Sequence, residues 1–428
     1  MARDVLTLLL FVLAQATAII LLAFSLRRAI LLLAACLPQS PRRPITQSPK
    51  LLILVPCRDE SQSLPGLFEA LDRLDYPRDS QSVQVIIVDD GSTDHTAAVA
   101  QAWIATRPWA RVISLPKNVG KPQALNEVLA QGAGGDVIVV YDADHRPTPA
   151  SLRALVAPFV EDPLQGTDPS VAGVSGQMRV VNGRASPAAF YAMIESHVHQ
   201  LITMRAKDRL DLAPALLGAN CAYRLSALQA VGGFRPGALL EDSDLTLAFA
   251  LRGWRTRFAE SSISEHQAPV SLRGYVRQHL RWNRGFHQVV GGRLASLWID
   301  PQAQTRPAAS LPLRLKLELT FFALGYADRL ALLAGVSFTV VDLLRPDTFG
   351  FPLAVWLIYF GLPALEMIAA LFLACEPLDM FLRLAYVPFF FALDIGVALW
   401  SNVETLLRRP FIWSITERSS NNLTTTDH

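Results

Sequence analysis

The chain has 428 residues, 51% of them hydrophobic and 18% charged, and a formal net charge of +2. This length is enough for two or three domains, and the mean hydropathy of +0.29 is higher than in ordinary soluble enzymes. The nearly balanced charge argues against a nucleic-acid-binding protein. The four cysteines are scattered without a Cys-x-x-Cys pair, which argues against a zinc site or a disulfide framework and favours reduced, cytosol-facing thiols.

An uncharged apolar run covers residues 5–24 and is followed by Arg27 and Arg28. It is long enough to span a bilayer. A cleaved signal peptide is the alternative, but the run is long for a signal sequence and its basic residues follow it, so we predict a retained anchor within residues 1–40. The arginines then lie in the cytosol and the N-terminus outside. Residues 29–37 are too few to cross again and are predicted to lie in the membrane interface.

Residues 41–295, which begin with a polar linker at 41–49, are predicted to form a cytosolic α/β domain. Strands and helices alternate in its first half, which is the signature of a parallel, doubly wound sheet. The predicted strands are 51–55, 83–88, 112–115 and 137–140, the predicted helices are 64–74 and 95–106, and residues 118–131 are predicted to form a loop and a helix. The second half combines a strand near 171–176 with helices at 187–205, 225–231, 241–251 and 275–290.

Two aspartates, Asp142 and Asp144, directly follow the apolar strand 137–140. A strand that ends in Asp-x-Asp places two oxygen ligands at its carboxyl end, where open α/β sheets bind their ligands. Such ligands suit Mg²⁺ or Mn²⁺, which usually take one or two carboxylates together with substrate phosphates. The alternative is a strand end with two solvated turn aspartates.

Strand 83–88 also ends in carboxylates, those of Asp89 and Asp90. These acceptors could hold a base or a ribose. The alternative is an Asp-Gly turn in which Ser92 or Thr93 caps the following helix.

Two more segments carry charges suited to a phosphorylated substrate. Lys121 follows a glycine and offers a cation for a phosphate, and the alternative is a solvated loop lysine. Glu241 and Asp242 open a helix, a place where the helix dipole alone favours acids. A buried carboxylate at this position could instead be a general base.

The segment around residue 280 combines polar, cationic and aromatic groups on one predicted helix. Gln278 and Trp282 are four residues apart and therefore share a helical face, with Arg281 beside them. A tryptophan can stack on a sugar, and an arginine can bind a diphosphate through two hydrogen bonds. The alternative is an amphipathic helix on the membrane surface.

Taken in order, five motifs resemble those of the membrane-bound family 2 glycosyltransferases, which include cellulose, chitin, hyaluronan and poly-N-acetylglucosamine synthases. The motifs are VDDGSTD (88–94), GKPQALN (120–126), DADH (142–145), LEDSDL (240–245) and QHLRW (278–282). The resemblance covers roughly residues 50–290. It implies a GT-A fold, which is a nucleotide-sugar-binding domain with a mostly parallel sheet, joined to an α-helical transmembrane region.

The resemblance implies donor-binding roles for residues of these motifs and of the first strand's end. Uridine would contact Asp90, with Asp89 and Glu60, and the diphosphate would contact Lys121. The implied donor-binding set is Glu60, Asp89, Asp90, Lys121, Asp142, Asp144, Gln278, Arg281 and Trp282.

It also implies the metal, the base and the acceptor side. Asp144, with Asp142, would bind Mg²⁺ or Mn²⁺, and His145 is not needed as a ligand. Asp242 would be the general base, with Glu241 beside it. The residues implied on the acceptor side are Trp282, Gly218 and Asn220.

The implied reaction is an inverting transfer from a UDP-sugar, in which a positioned carboxylate takes the proton of the acceptor hydroxyl. The leading prediction is processive β-linked polysaccharide synthesis with translocation through the membrane helices. The second is transfer to a membrane lipid such as diacylglycerol, ceramide or a polyprenyl carrier, and the third is a non-catalytic membrane scaffold. The predicted partners are the UDP-sugar, the polysaccharide or lipid acceptor and the membrane, with export or regulatory subunits as further candidates and without nucleic acid.

The chain departs from the family pattern at several positions. The threonine that usually precedes Glu-Asp is Leu240, and the end of the first strand, often Tyr-Asn-Glu, is Arg58-Asp59-Glu60. These departures bear on the acceptor more than on the chemistry. His266 follows the base, where some GT-A enzymes have a histidine ligand, but we expect a loop histidine.

Residues 296–418 contain three long apolar stretches, at 317–344, 352–375 and 378–400. If all three stretches cross the membrane in addition to the N-terminal anchor, the C-terminal tail lies outside. The arginines near the C-terminus instead favour a cytosolic tail. The segment 411–418 also resembles the cytosolic gating loop of cellulose-type synthases. We therefore predict two spans and an interfacial, re-entrant or third span at 378–401, a disordered tail at 419–428, and an inner-membrane, multi-pass protein with a cytosolic catalytic domain.

Overall fold

The computed structural model describes residues 2–38, 49–77, 82–132, 134–161, 170–299, 311–325, 327–345, 348–407 and 409. The segment that resembles a gating loop, the predicted disordered tail and most of the predicted linker lie outside these residues.

Within the described residues, eight strands form one mixed sheet. They are β1 Leu51–Cys57, β2 Val83–Asp89, β3 Ala110–Ser114, β4 Val137–Val140, β5 Arg146–Pro147, β6 Val171–Val180, β7 Cys221–Arg224 and β8 Arg255–His266. Their order in the sheet is β3-β2-β1-β4-β7-β6-β8-β5. The first four in that order are parallel, and the pairing turns antiparallel where β4 meets β7. This confirms the mostly parallel sheet that was predicted.

Helices cover both faces of the sheet. Those before β7 are α2 Leu64–Asp72, α3 Thr96–Ile104, α4 Lys121–Ala130, α5 Ser151–Glu161, α6 Pro187–His197 and α7 Arg205–Arg209, with a π-helical turn Val198–Met204 between the last two. After β7 follow α8 Leu225–Ala230, α9 Glu241–Leu251 and α10 Leu272–Trp298.

Strand β1 shows why these apolar runs form a central sheet. Alternate residues point to opposite faces, so Ile53 packs into one core with α2, α3 and α5, and Leu54 packs into the other with α4, α8 and α9. A strand that is buried on both faces is apolar at every position, as β1 is here.

Two of the longer elements of the α/β domain, α5 and β8, have no counterpart in the sequence prediction. Strand β8 contains two arginines, two glutamates and a histidine, and its buried positions are interrupted by half-buried ones. It pairs with β6 through two register shifts. The alternation that identifies a half-buried strand is therefore weak in its sequence.

The first helix, α1, runs without a break over Ala2–Ala35. Residues 29–35, predicted to be separate from the span, instead continue α1, and Leu31, Ala34 and Ala35 are buried against residues of α6 and of later helices. The placement of this segment in the membrane interface stays a prediction.

The remaining helices are α11 Leu313–Ala323, α12 Ala327–Leu344, α13 Ala354–Leu373, α14 Leu378–Leu382 and α15 Val387–Leu406, with a 3₁₀ turn Arg383–Tyr386 before the last. The stretch predicted as one unit at 317–344 is thus divided between α11 and α12. Three segments of the described chain are long and apolar enough to cross a membrane: Val5–Ala35, Ala354–Leu373 and Leu378–Leu406.

Candidate active site

Asp142 and Asp144 follow β4 and lie with His145 at the carboxyl edge of the sheet. One carboxylate oxygen of each aspartate and one ring nitrogen of His145 all lie within 4.8 Å of one another. The aspartates are half-buried, whereas His145 is buried with its Nδ1 3.1 Å from the Ser264 hydroxyl. Two carboxylates and an imidazole form a donor set that suits Mn²⁺ or Mg²⁺. The structure therefore adds His145 to the two carboxylates that the sequence singled out.

His266 is the last residue of β8 and does not lie in a loop, contrary to expectation. Its ring stacks on that of His145, with 5.1 Å between centroids and planes 3° apart. This stacking places an imidazole beside the predicted metal ligands.

Lys121 opens α4 and reaches across the same edge. Its Nζ donates to Asp142 Oδ1 at 2.7 Å and to the Gly218 carbonyl at 2.9 Å, and it lies 3.4 Å from Glu241 Oε1. Burial would lower the pKa of Lys121, but the charges of Asp142 and Glu241 outweigh it and raise the pKa. The side chain is therefore a permanent cation among the predicted catalytic acids and not a solvated loop lysine.

Asp242 is the second residue of α9 and is half-buried beside Glu241. Burial, followed by the charge of Glu241, raises its pKa to about 7, against the opposing effects of the Ser243 amide, Lys121 and Arg281. A carboxyl group with a pKa near neutrality can accept a proton at working pH and release it afterwards. Asp242 has the protonation behaviour that a general base needs.

Gly218 lies against this carboxylate. A Cβ at position 218 would come within 2.9 Å of Asp242 Oδ2, and the residue has φ +75°. Both observations require glycine there. The predicted acceptor residue Gly218 is thus next to the predicted base.

Asn220, the other predicted acceptor residue, is fully buried. Its side-chain amide donates to the carbonyls of Gln177 and Ser262 at 3.0 and 2.8 Å. These bonds tie β6 and β8 to the segment before β7, so the observed contacts of Asn220 are structural, and its role toward an acceptor stays a prediction.

Asp90 organises the loop that precedes Lys121. Its two carboxylate oxygens accept hydrogen bonds from the amides of Val119 and Gly120 at 2.7 and 2.9 Å. Asp89 Oδ1 accepts from the Ser92 amide at 3.0 Å, which closes the turn after β2. The turn was thus anticipated, but neither Ser92 nor Thr93 caps α3, which begins at residue 96.

Glu60 lies beside this turn, at the end of the first strand's loop. Its amide donates to the Thr96 hydroxyl at 2.8 Å, and its side chain is half-buried. The end of β1 is therefore bound to the start of α3, close to the predicted uridine-binding acids.

Gln278, Arg281 and Trp282 lie on α10 and are half-buried. The charge of Arg281 opposes the rise in the pKa of Asp242. Trp282 makes an edge-to-face contact with His279, with 4.8 Å between ring centroids. Sequence reasoning named the residues around His279 but not His279 itself, although it stands inside the QHLRW motif.

Asp244 is the third acid of the LEDSDL motif, and its contacts are with two arginines. It is buried and accepts from Arg235 at 3.0 Å and from Arg293 at 2.8 and 2.7 Å. It therefore fastens α9 to α10, which leaves Glu241 and Asp242 as the acids of this motif that face Lys121.

Residues 49–285 match the model of a family described as glycosyltransferase-like family 2. The chain is 30% identical over 252 residues to the probable glycosyltransferase YdaM of Bacillus subtilis, a match that covers 58% of each protein. It is 28% identical over 246 residues to the beta-monoglucosyldiacylglycerol synthase of Synechocystis, covering 56% of this chain and 48% of that protein. The chain thus spans about half the length of the curated relatives it matches.

The fold resembles that of the mannosyltransferase PcManGT from Pyrobaculum calidifontis, which was solved with GDP-mannose and Mn²⁺. The TM-score is 0.61 at 21% identity, and the likeness covers 94% of this chain and 100% of that one. The comparison confirms the predicted GT-A fold.

Proposed function

The chain belongs to the glycosyltransferase-like family 2, and from that premise we propose that it moves a sugar from a UDP-sugar to an acceptor at a membrane with inversion of the anomeric centre. Asp242 is the general base of this reaction. The observation that carries the proposal is the grouping of acids around one cation: Lys121 lies 2.7 Å from Asp142 and 3.4 Å from Glu241, the neighbour of the base. Burial and Glu241 raise the pKa of the Asp242 carboxyl, which agrees with its role.

Each of these residues has a separate role in a single displacement at the anomeric carbon. Asp242 takes the proton of the acceptor hydroxyl, whose oxygen bonds to the anomeric carbon as the bond from that carbon to the diphosphate oxygen breaks. Lys121 and Arg281 stabilise the charge that grows on the leaving diphosphate. Uridine binding falls to Asp89, Asp90 and Glu60.

Asp142 and Asp144, with His145 beside them, would hold Mg²⁺ or Mn²⁺. A bound divalent cation would supply Lewis-acid stabilisation of the diphosphate. The set of two carboxylates and one ring nitrogen within 4.8 Å supports this assignment.

The proposed acceptor is a growing β-linked polysaccharide. Support comes from the QHLRW segment on α10, whose Trp282 can cap an acceptor sugar while Gln278 and Arg281 hold the donor. Transfer to a membrane lipid is the second candidate, favoured by the 28% identity to a diacylglycerol glycolipid synthase.

One assay tests the reaction and separates the acceptors. Purified protein is incubated with Mn²⁺ and radiolabelled UDP-glucose or UDP-N-acetylglucosamine, and UDP release is followed together with product size. Ethanol-insoluble label indicates a polymer, and label extracted into organic solvent indicates a lipid. If no nucleotide sugar yields UDP under any of these conditions, the proposed function is wrong.

We also propose the membrane arrangement: an anchor within 1–40, a cytosolic catalytic domain over 41–295, and C-terminal helices over 296–418 in the inner membrane. Crossings by Val5–Ala35, Ala354–Leu373 and Leu378–Leu406 would return the tail to the cytosol without a re-entrant segment. Impermeant thiol labelling of Ser420→Cys in intact cells tests this, in a background where Cys36 and Cys375, the exposed cysteines among the described residues, are replaced. Labelling would contradict a cytosolic tail.

A further inference from the structure

A second group of acids lies where α10 meets α6 and the candidate membrane helix α15. Glu195 of α6, His279 of α10 and Asp394 of α15, here called the interface triad, have ligand atoms within 4.8 Å of one another. His279 and Asp394 are buried, and Glu195 is half-buried. None of the three was a predicted site residue.

Two tyrosines fill the space around the triad. The Tyr275 hydroxyl lies 2.6 Å from Asp394 Oδ1 and 3.2 Å from Glu195 Oε2, and the Tyr191 hydroxyl donates to Asp394 Oδ2 at 3.2 Å. Both tyrosine rings pack on Phe390, one turn before Asp394. The triad is therefore enclosed by aromatic rings that contribute hydroxyl donors.

The hydrogen bonds of His279 determine how many protons its ring carries. Its Nδ1 lies 3.0 Å from the Tyr275 carbonyl, which can only accept, so this nitrogen must donate. Its Nε2 lies 3.1 Å from Glu195 Oε2, and an ionised carboxylate also only accepts. Both ring nitrogens must then donate, which describes an imidazolium.

The charges around the ring agree with this state. Burial would lower the pKa of His279, but the charge and hydrogen bond of Glu195, with the charge of Asp394, outweigh it and raise the pKa above 6.5. The other groups packed nearby are Tyr191, Tyr275 and, on α12, Arg329, which also donates to Asp328 at 2.6 Å. An imidazolium compensates one of the two carboxylates, as buried charge requires.

We infer that His279, held as an imidazolium by Glu195 and Asp394, is a positioning residue that fixes the Arg281–Trp282 turn of α10 against helices α6 and α15. The ring contacts Trp282 directly, and Arg281 lies on the same turn. This role rests on the proposed function of Arg281 and Trp282. It links the geometry of the catalytic edge to a candidate membrane helix through one protonated side chain.

The experiment uses full-length protein in nanodiscs of phosphatidylethanolamine and phosphatidylglycerol. His279→Gln removes the cation, and His287→Gln makes the same change two turns further along α10, where burial and Arg284 lower the pKa of the ring. Glu195→Gln keeps the shape of the partner and removes its charge. The measurements are the unfolding temperature, UDP affinity with Mn²⁺, and the kcat and KM of UDP release between pH 6 and 10.

We expect His279→Gln to lower kcat by about 10- to 100-fold, the scale of a small misplacement of reacting groups, with a smaller change in KM. The cation's contribution to stability is full below pH 6.5 and is lost as pH rises through the raised pKa, so the gap in unfolding temperature between wild type and His279→Gln should close at high pH. The kcat of the wild type should fall over the same alkaline range, because the positioning role is lost with the proton. Glu195→Gln should move both losses to lower pH by about 1 to 3 units. His287→Gln should change neither kcat nor the pH dependence of the unfolding temperature.

Three results would overturn the inference. The first is a gap in unfolding temperature that stays constant from pH 6 to 10. The second is an alkaline limb of kcat that Glu195→Gln leaves in place. The third is one equivalent of bound metal in an Asp142→Ala/Asp144→Ala protein that His279→Gln removes, since that would make the triad a metal centre. A wild type that neither binds UDP nor releases it would instead refute the proposed function, and the positioning role with it.

Discussion

The molecule contains two acid clusters that use similar residues in opposite ways. At the sheet edge, Lys121 lies beside Asp142 and Glu241, Asp144 lies beside Asp142, and Asp242 follows Glu241 in the chain. In the interface triad, each carboxylate accepts hydrogen bonds from tyrosine hydroxyls or an imidazole. The acids outnumber the cations in both clusters; the triad differs in that its carboxylates also accept hydrogen bonds from tyrosine hydroxyls.

This difference distinguishes acids that are suited to catalysis from acids that stabilise the fold. A carboxylate whose pKa is raised by burial and a like charge destabilises the fold when it is ionised, and such groups are common at active sites. A carboxylate whose charge is matched by cations, as that of Glu318 is by Arg27 and Lys207, stabilises the fold. Neutralising an acid should therefore have opposite effects on stability in the two kinds of cluster.

The largest expected effect is the loss of turnover when the acid cluster at the sheet edge is changed. Asp144→Ala, or removal of divalent metal with EDTA, should reduce UDP release to background while the protein stays folded, because the diphosphate charge is no longer compensated. Asp75→Ala, at an exposed carboxylate paired with Arg153, is the control and should keep activity. Full activity in EDTA would contradict the metal assignment.

Asp242→Asn should lower kcat by about 10²- to 10⁴-fold, the usual contribution of a general base. It should also raise the unfolding temperature at pH 8, since a carboxyl group with a raised pKa costs stability when ionised. UDP-release kinetics and thermal unfolding measure the two effects, with Asp75→Asn as the matched control. A fall in unfolding temperature would show that Asp242 is a structural acid.

Glu318→Gln should have the opposite effect on stability, because two cations match the charge of Glu318. Its carboxylate accepts from Arg27 at 2.8 and 2.7 Å and lies 3.2 Å from the buried Lys207 Nζ. Loss of this charge leaves two cations uncompensated and should cost about 3 kcal/mol. Equilibrium unfolding should show less than about 1 kcal/mol for Glu69→Gln, at an exposed pair with Arg73; an equal loss in both variants would contradict the distinction.

The smallest effect is a change in the pH profile of the base. Activity should rise as pH passes through about 7, where Asp242 loses its proton. Glu241→Gln removes the like charge and should move this acid limb down by about 1 unit. Initial rates of UDP release between pH 5 and 8 measure the shift. An unmoved limb would mean that another group controls the acid side of the profile.

Sequence reasoning predicted much of the sheet because its core strands are short apolar runs that end in polar turns. The strand at 137–140 has the predicted bounds, and helix α9 begins and ends at the predicted residues. Strand β8 was not predicted because charged side chains occupy a third of its positions. The continuous α1 was missed because Arg27 and Arg28 look like the end of a span, whereas Glu318 and Glu366 pair with them.

The residues of the candidate site also divide into those that the sequence identified and those that only the structure revealed. The motifs identify Asp142, Asp144, Lys121 and Asp242 from local sequence, because a strand end or a helix start limits which residue types can serve there. Arg281 was identified by the QHLRW motif alone. The sequence by itself thus determined the family resemblance, the order of the sheet-edge residues and the chemical groups available. Only the tertiary structure decided that Gly218 lies against Asp242, that His145 joins the two aspartates, and that Glu195, His279 and Asp394 meet. These contacts join residues up to about 200 positions apart, and a pKa or a proton count depends on such neighbours in space, which local sequence does not specify.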